Sequence, residues 1–99
     1  AEKLVMLGGS TVEQYKLDQN YPNPFNPSTK ISYSIKEEGL VTLKVYDILG
    51  KEISTLVNEN KPKGIYEAEF NALQLPSGMY IYKIQAGSFT DAKKMLLTK

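Results

Sequence analysis

The sequence predicts an all-β protein, an antiparallel β-sandwich of about seven strands. In several short segments apolar residues alternate with polar ones, which is the period of a strand with one buried face. Glycine, proline and asparagine interrupt the alternation about every 8–12 residues, as turns do in sandwiches and barrels. No segment keeps the helical period of about 3.6 residues. A small β-barrel would give the same signals and is the alternative.

The composition indicates one folded domain without a strong charge. A chain of 99 residues with 41% hydrophobic and 23% charged residues is typical of a globular protein. The net charge is +1 and the lysines form no concentrated patch, so nucleic acid is not expected as a partner. No apolar run approaches the roughly 20 residues of a transmembrane helix, and no transmembrane segment is predicted.

Residues 1–14 are predicted to be a leader or linker from a longer parent protein, and residues 15–99 to be the folded domain. The chain does not begin with Met, and Leu4-Val-Met-Leu7 is followed by Gly8-Gly-Ser-Thr11, a composition typical of linkers. A first strand is expected over residues 13–18.

A proline-rich segment, Gln19-Asn-Tyr-Pro-Asn-Pro-Phe-Asn-Pro-Ser-Thr29, follows this first strand. Proline has no N–H for a β-ladder, so the segment is expected to run along the rim of a sheet. Phe25, in its middle, is predicted to be its anchor in the core.

Two alternating segments, residues 30–36 and 40–47, predict the next strands. Asp47-Ile-Leu-Gly50 fits a type I turn and predicts a hairpin between the second of them and the strand that follows. In that following strand Ile53 and Leu56 are three residues apart, which predicts a bulge.

The second half of the chain predicts strands over residues 65–70, 79–86 and 89–97. The connection over residues 71–78 is long enough to cross from one sheet to the other. Residues 79–86 are apolar on both faces, as expected of a central strand that is covered on both sides.

Leu75-Pro-Ser-Gly-Met-Tyr80 makes the predicted sandwich immunoglobulin-like. A tyrosine just inside a strand, after a turn of small residues, is the arrangement of a tyrosine corner, in which the hydroxyl bonds a nearby backbone group. A plain core aromatic is the alternative role for Tyr80. The cysteine pair and the Trp of antibody domains are absent, so the similarity is architectural.

The residue types needed for catalysis are largely missing, and no enzyme activity, cofactor or metal is predicted. The chain has no His and no Cys, which removes the commonest general base, the thiol nucleophile and most transition-metal ligands. Asp18, Asn20 and Asn23 resemble an oxygen-rich calcium loop, but they lack the Gly and the closing Glu of an EF-hand.

The last segment, Lys93-Lys-Met-Leu-Leu-Thr-Lys99, admits two interpretations. It is either an edge strand that its lysines protect from further pairing, or an address that a receptor reads through strand addition or charge. Residue physics alone favours the first. The ten aromatic residues suggest a sugar-stacking platform as well, although only Tyr21 and Tyr46 are expected to be exposed.

Four segments resemble the C-terminal sorting domain of the type IX (Por) secretion system, type A. They are the proline-rich segment, Val45-Tyr-Asp-Ile-Leu-Gly-Lys-Glu-Ile53, Leu75-Pro-Ser-Gly-Met-Tyr-Ile-Tyr-Lys-Ile84 and the last segment. The same pattern is similar to the immunoglobulin-like domain of the flagellar hook-assembly protein. The resemblance covers about residues 15–99 in order, and it departs at Phe70-Asn71, where the family often has Trp before an acidic or amide residue.

The resemblance implies a non-catalytic signal that directs a larger protein through the type IX outer-membrane translocon. The implied partners are that translocon, a sortase-like surface peptidase and the cargo protein in cis. The implied destination is the cell surface or the outside of Bacteroidota and related bacteria, reached via the periplasm and the outer membrane. Cleavage is expected in the leader, around residues 7–11. Carried over by position, the residues expected to matter for sorting are Gly78, Tyr80, Lys93, Lys94 and Lys99.

Two other functions stay open on the sequence alone. The aromatic content favours an accessory carbohydrate-binding module of a secreted enzyme, and the third possibility is a purely structural linker or assembly module like the hook-assembly immunoglobulin-like domain. The oligomeric state is not predicted.

Overall fold

The computed structural model describes residues 2–5 and 12–99, and this part of the chain is all-β. The strands of the described residues are β1 (Glu2–Val5), β2 (Lys16–Leu17), β3 (Ser28–Ile35), β4 (Gly39–Tyr46), β5 (Glu52–Lys61), β6 (Gly64–Asn71), β7 (Gly78–Ala86) and β8 (Phe89–Leu97).

The strands form two antiparallel sheets of four, in the orders β1-β6-β3-β2 and β5-β4-β7-β8. In the described residues no ladder joins one sheet to the other, so the molecule is a sandwich and the barrel alternative is wrong. The arrangement is consistent with the predicted immunoglobulin-like sandwich. The connection between β6 and β7 crosses between the sheets, which confirms the prediction for residues 71–78.

The core lies between the two sheets because alternate residues of each strand point inward. In β3 and β4 the inward residues are fully buried while their neighbours are partly or wholly exposed. The largest fully buried side chains are Tyr33, Tyr82, Phe25, Ile31, Ile35, Leu43, Ile84, Met95 and Leu97.

The β4–β5 hairpin has the predicted turn and the predicted irregularity. The Gly50 N–H donates to the Asp47 carbonyl at 3.0 Å, and Gly50 has a φ of 87°, which glycine adopts without a steric penalty. The ladder has register shifts beside Lys44 and Tyr46, so that Leu56 and Ile53 have no opposite residue. These are the two residues whose spacing predicted a bulge.

Three features differ from the expectation. The strand expected over residues 13–18 is confined to β2, which has two residues. The strand β1, which pairs with β6, was not predicted. The strand β7 is central, but only one of its faces is covered, and Met79 on the other face is 41% exposed. A two-layer sandwich has no third layer to cover the outer face of either sheet.

The hydroxyl of Tyr33 gives a test of this core. Tyr33 is fully buried, its ring stacks on Tyr66 at 5.5 Å, and its Oη has no hydrogen-bond partner among the described residues. An unsatisfied buried hydroxyl costs about 1–3 kcal/mol. We therefore expect Tyr33→Phe to raise the free energy of unfolding in urea by about 1 kcal/mol, because the ring and its packing stay. A clear loss of stability would mean that the hydroxyl has a partner in solution.

Candidate functional site

The first and last motifs of the sequence meet in space. Residues 19–25 run from the edge of β3, where Tyr21 exchanges two backbone hydrogen bonds with Lys30, to the outer edge of β8. They bond β8 at residues 94–98 through the Gln19 and Asn23 side chains and the Phe25 backbone, and we call this pairing the C-terminal seam. The Phe25 N–H donates to the Leu96 carbonyl at 2.9 Å, and the Thr98 N–H donates to the Phe25 carbonyl at 3.0 Å. A proline-rich stretch and a strand 70 residues later are therefore one structural unit.

Side chains complete the C-terminal seam where prolines cannot donate. The Gln19 amide donates to the Lys94 carbonyl at 2.7 Å, and the Leu96 N–H donates to Asn23 Oδ1 at 3.0 Å. Proline has no N–H, so these two amide side chains supply hydrogen bonds that a regular strand would make with its main chain.

Phe25 fixes the C-terminal seam to the core, as predicted. Its side chain is 1% exposed and its ring lies 6.2 Å from that of Phe70 in the other sheet. The same residue thus anchors the proline-rich segment and holds the end of β8 through its backbone.

A buried polar network supports the start of the proline-rich segment. The Tyr82 hydroxyl donates to the Asp18 carbonyl at 2.7 Å and accepts the Asn20 N–H at 2.8 Å. Burial raises the pKa of Tyr82 from 10.0 to about 12; the hydrogen bond from Asn20 acts in the opposite direction, and the charges of Asp18 and Asp91 raise the pKa further. The Asn20 side chain, 2% exposed, donates to Thr29 Oγ1 at 2.9 Å. This network fixes the position of the start of the proline-rich segment relative to β7.

The predicted tyrosine corner is present. The Tyr80 hydroxyl donates to the Pro76 carbonyl, four residues earlier, at 2.6 Å, and Tyr80 is 5% exposed. A second corner was missed: the Tyr66 hydroxyl donates to the Pro62 carbonyl, also at 2.6 Å. The signal was in the sequence, because Pro62-Lys-Gly-Ile-Tyr66 and Pro76-Ser-Gly-Met-Tyr80 share the pattern Pro-x-Gly-x-Tyr.

Residues 19–98 match the family described as the secretion system C-terminal sorting domain. The chain belongs to this family. The matched stretch begins at Gln19 and ends at Thr98, so both halves of the C-terminal seam lie inside it. No curated protein matches the chain closely enough to count as a relative.

The sorting domain is a C-terminal signal for type IX secretion, with a targeting and non-catalytic role. This role implies interaction with the type IX secretion system, a cargo protein in cis, and export to the cell surface or outside. In the described residues no group of three His, Cys, Asp or Glu side chains is placed to hold a metal ion. No helix in the described part is long and apolar enough to cross a membrane.

Three of the five residues expected to matter for sorting lie together at one end of the sandwich. Gly78 opens β7 opposite Leu97, and its φ of 153° is a conformation that side-chain-bearing residues rarely adopt. Tyr80 follows two residues later. The Lys99 N–H donates to Ser77 Oγ at 3.2 Å, and its ammonium group donates to the Leu73 carbonyl at 2.9 Å. The last residue is therefore bound to the β6–β7 connection of the sorting domain.

The other two residues, Lys93 and Lys94, lie further along β8 and on opposite faces of its sheet. Lys94 is exposed on the outer face, since Met95 and Leu97 point inward. Lys93 is on the same face of β8 as the buried Met95 and Leu97, but it is only half-buried. The two lysines therefore do not form one charged site with Lys99.

Exposed apolar side chains mark the same end of the sorting domain. Of the six large hydrophobic residues that are exposed in the described part of the chain, five lie at the end where β8 finishes. They are Tyr21, Ile48, Leu49, Leu73 and Met79. We call this surface, with Lys99, the C-terminal end. Sequence reasoning missed Ile48 and Leu49 because it assigned them only to a turn. Apolar residues at both central positions of a turn already indicate exposed apolar side chains.

All ten aromatic residues lie within the described residues 12–99, and one of them is largely exposed. Tyr21 is 81% exposed, as expected. Tyr46, which was also expected to be exposed, is half-buried, and the others are buried or partly buried. Tyr15 and Phe89 stack on each other at 5.3 Å. Two of the oxygens considered for calcium already accept hydrogen bonds: Asn20 Oδ1 accepts one from the Gln19 amide at 2.7 Å, and Asn23 Oδ1 accepts one from the Leu96 N–H at 3.0 Å.

Proposed function

We propose that the type IX translocon recognises the folded sorting domain at its C-terminal end, through side chains. In this proposal Gly78, Tyr80 and Lys99 shape and present the recognised surface, and Lys94 with the weaker Lys93 extends it along β8. The parent protein passes through the periplasm and the outer membrane. A sortase-like surface peptidase then removes the domain by cleavage around residues 7–11, which lie outside the described residues.

The single observation that carries this proposal is that the exposed apolar residues lie at the same end of the sandwich as the terminal lysine. Leu49 is 89% exposed and Ile48 is 69% exposed. The Lys99 ammonium group donates to the carbonyl of Leu73, another of these residues. A folded monomer does not gain stability from such side chains, and exposed large apolar residues concentrated at one end of a domain are typical of a docking surface.

The C-terminal seam supports recognition through side chains over recognition through strand addition. The outer edge of β8 at residues 94–98 already bonds residues 19–25. A receptor strand could add there only if those bonds broke, whereas the Lys94 and Lys99 side chains are exposed without any rearrangement.

The test is export of a reporter that is fused upstream of residues 1–99 in a type IX-competent bacterium. Deletion of residues 94–99 should abolish export, but it also removes the buried Met95 and Leu97. Point variants separate the two causes. Lys94→Ala should keep the free energy of unfolding within about 0.5 kcal/mol, as exposed substitutions do, and should still lower export.

Lys83→Ala is the matched control, because Lys83 is an exposed lysine on the outer face of the same sheet. In the same assay Ile48→Ser combined with Leu49→Ser should lower export, whereas Leu40→Ser, at the opposite end and 57% exposed, should not. Equal export by Lys94→Ala, the double serine variant and both controls would refute recognition at this surface.

A further inference from the structure

The two sheets differ in how their edges are protected against pairing with another strand. In the sheet β5-β4-β7-β8, the β5 edge is interrupted by the two register shifts, and the β8 edge is bonded to residues 19–25 over residues 94–98. In the other sheet β2 is only two residues long. Bulges, short strands and covering segments are the usual devices that protect an edge.

The strand β6 is neither short nor bulged. It pairs with β3 over all eight residues without a register shift, so its opposite side is an equally long and regular edge. Within residues 2–5 and 12–99 that side is paired only with β1, which covers residues 65–68. A long, regular edge with unpaired N–H and C=O groups is a template for a further strand. Without β1, β6 would be such an edge.

The strand that covers this edge is not part of the family match. Glu2–Val5 lies upstream of the matched residues 19–98. The family-matched part of the chain, taken with β2, therefore has an open edge at β6, and a segment from the leader closes it.

We propose that the outer edge of β6 is a strand-acceptor site. Its occupant is the segment Glu2–Val5, in cis in this structure, and the same segment of a second copy binds there when the cis segment is withdrawn. The register is antiparallel, with Glu2 opposite Ala68 and Val5 opposite Ile65. This site is on the sheet opposite to β8, and its occupancy is independent of the C-terminal end that the translocon is proposed to recognise.

The test measures binding of a fluorescent peptide with the sequence of residues 1–8 to the full chain by anisotropy. In the wild-type chain the tethered segment has an effective concentration near millimolar and should exclude a micromolar probe. Main-chain N–H groups alternate in direction along a strand, so Lys3→Pro combined with Leu4→Pro removes whichever of the two donates to β6. The double variant should bind the probe at least about tenfold more tightly than the wild type.

A probe that itself carries proline at positions 3 and 4 is the control and should not bind. Equal binding of the unmodified probe by both chains, no binding by the double variant, or binding of the proline probe would overturn the proposal. Amide exchange gives a second measurement that needs no peptide. In the double variant the outward-facing amides of residues 65–68 should exchange at least about tenfold faster, while those bonded to β3 stay protected. Unchanged exchange at all of them would also overturn it.

Discussion

Phe25→Ala is expected to lower the free energy of unfolding by about 3–5 kcal/mol, the range for truncating a buried Phe to Ala. Phe25 is 1% exposed and packs against Phe70 in the other sheet. Its N–H donates one main-chain hydrogen bond of the C-terminal seam, and its carbonyl accepts the other. The substitution therefore leaves a cavity between the sheets and loosens the segment that covers β8.

Two controls separate these effects. Phe25→Leu keeps most of the volume and should cost less than about 1.5 kcal/mol. Leu43→Ala removes a fully buried residue of β4 and should cost about 2–5 kcal/mol, without acting on the C-terminal seam. Urea denaturation gives the free energies, and amide exchange shows where the structure opens.

The exchange result decides whether the C-terminal seam is a separate unit. In Phe25→Ala the Leu96 and Thr98 amides, which bond Asn23 and Phe25, should lose more protection than the amides of β4. In Leu43→Ala all protected amides should lose protection together. A denaturation midpoint that barely moves in Phe25→Ala would mean that Phe25 is not the anchor of this segment.

The sandwich could be predicted because each sheet has one buried face. In β3, β4 and β6 a buried face imposes strict alternation of apolar residues, and that alternation is visible in a single sequence. The bulge in β5 was visible for the same reason, since Ile53 and Leu56 break the period. Tyr80 could be placed because a tyrosine corner is a local arrangement with a local sequence pattern.

The C-terminal seam could not be predicted because it depends on contacts between residues about 70 positions apart. Prolines showed that the segment lies on a rim, but no sequence pattern shows which strand it follows. The strand β1 was missed because four residues beside a glycine-rich stretch carry too little alternation. Apolar residues on both faces of β7 suggested a third layer, but Met79 contributes to an exposed end instead.

Tyr82→Phe is expected to destabilise the domain near neutral pH and to remove a fall in stability at high pH. Tyr82 is fully buried, and its hydroxyl bonds both the Asp18 carbonyl and the Asn20 N–H. Loss of these partners should cost about 1–3 kcal/mol at pH 7, because the two backbone groups stay buried without it.

The pH dependence follows from the direction of the pKa shift. The Tyr82 pKa is raised to about 12 in the folded chain, chiefly by burial, from its ordinary value of 10.0. Below pH 10 both the folded and the unfolded chain hold this proton, and the contribution to stability is complete. Between pH 10 and 12 the unfolded chain releases the proton first, so it binds fewer protons and the free energy of unfolding falls as the pH rises.

Across this window the contribution lost is about 2–3 kcal/mol, at about 1.4 kcal/mol for each pKa unit. The stability of the wild type minus that of Tyr82→Phe, measured in urea at several pH values, should therefore fall by this amount from pH 9 to pH 12, and it changes sign if the difference at neutral pH is smaller than this amount. Taking the difference cancels the titration of the lysines and the other tyrosines. Tyr21→Phe, at an 81% exposed position, is the control and should track the wild type throughout. If the difference in unfolding free energy between the wild type and Tyr82→Phe is the same at every pH, the Tyr82 hydroxyl is not held as a buried donor to the Asp18 carbonyl. The polar network that supports the proline-rich segment would then be less rigid than its hydrogen bonds indicate.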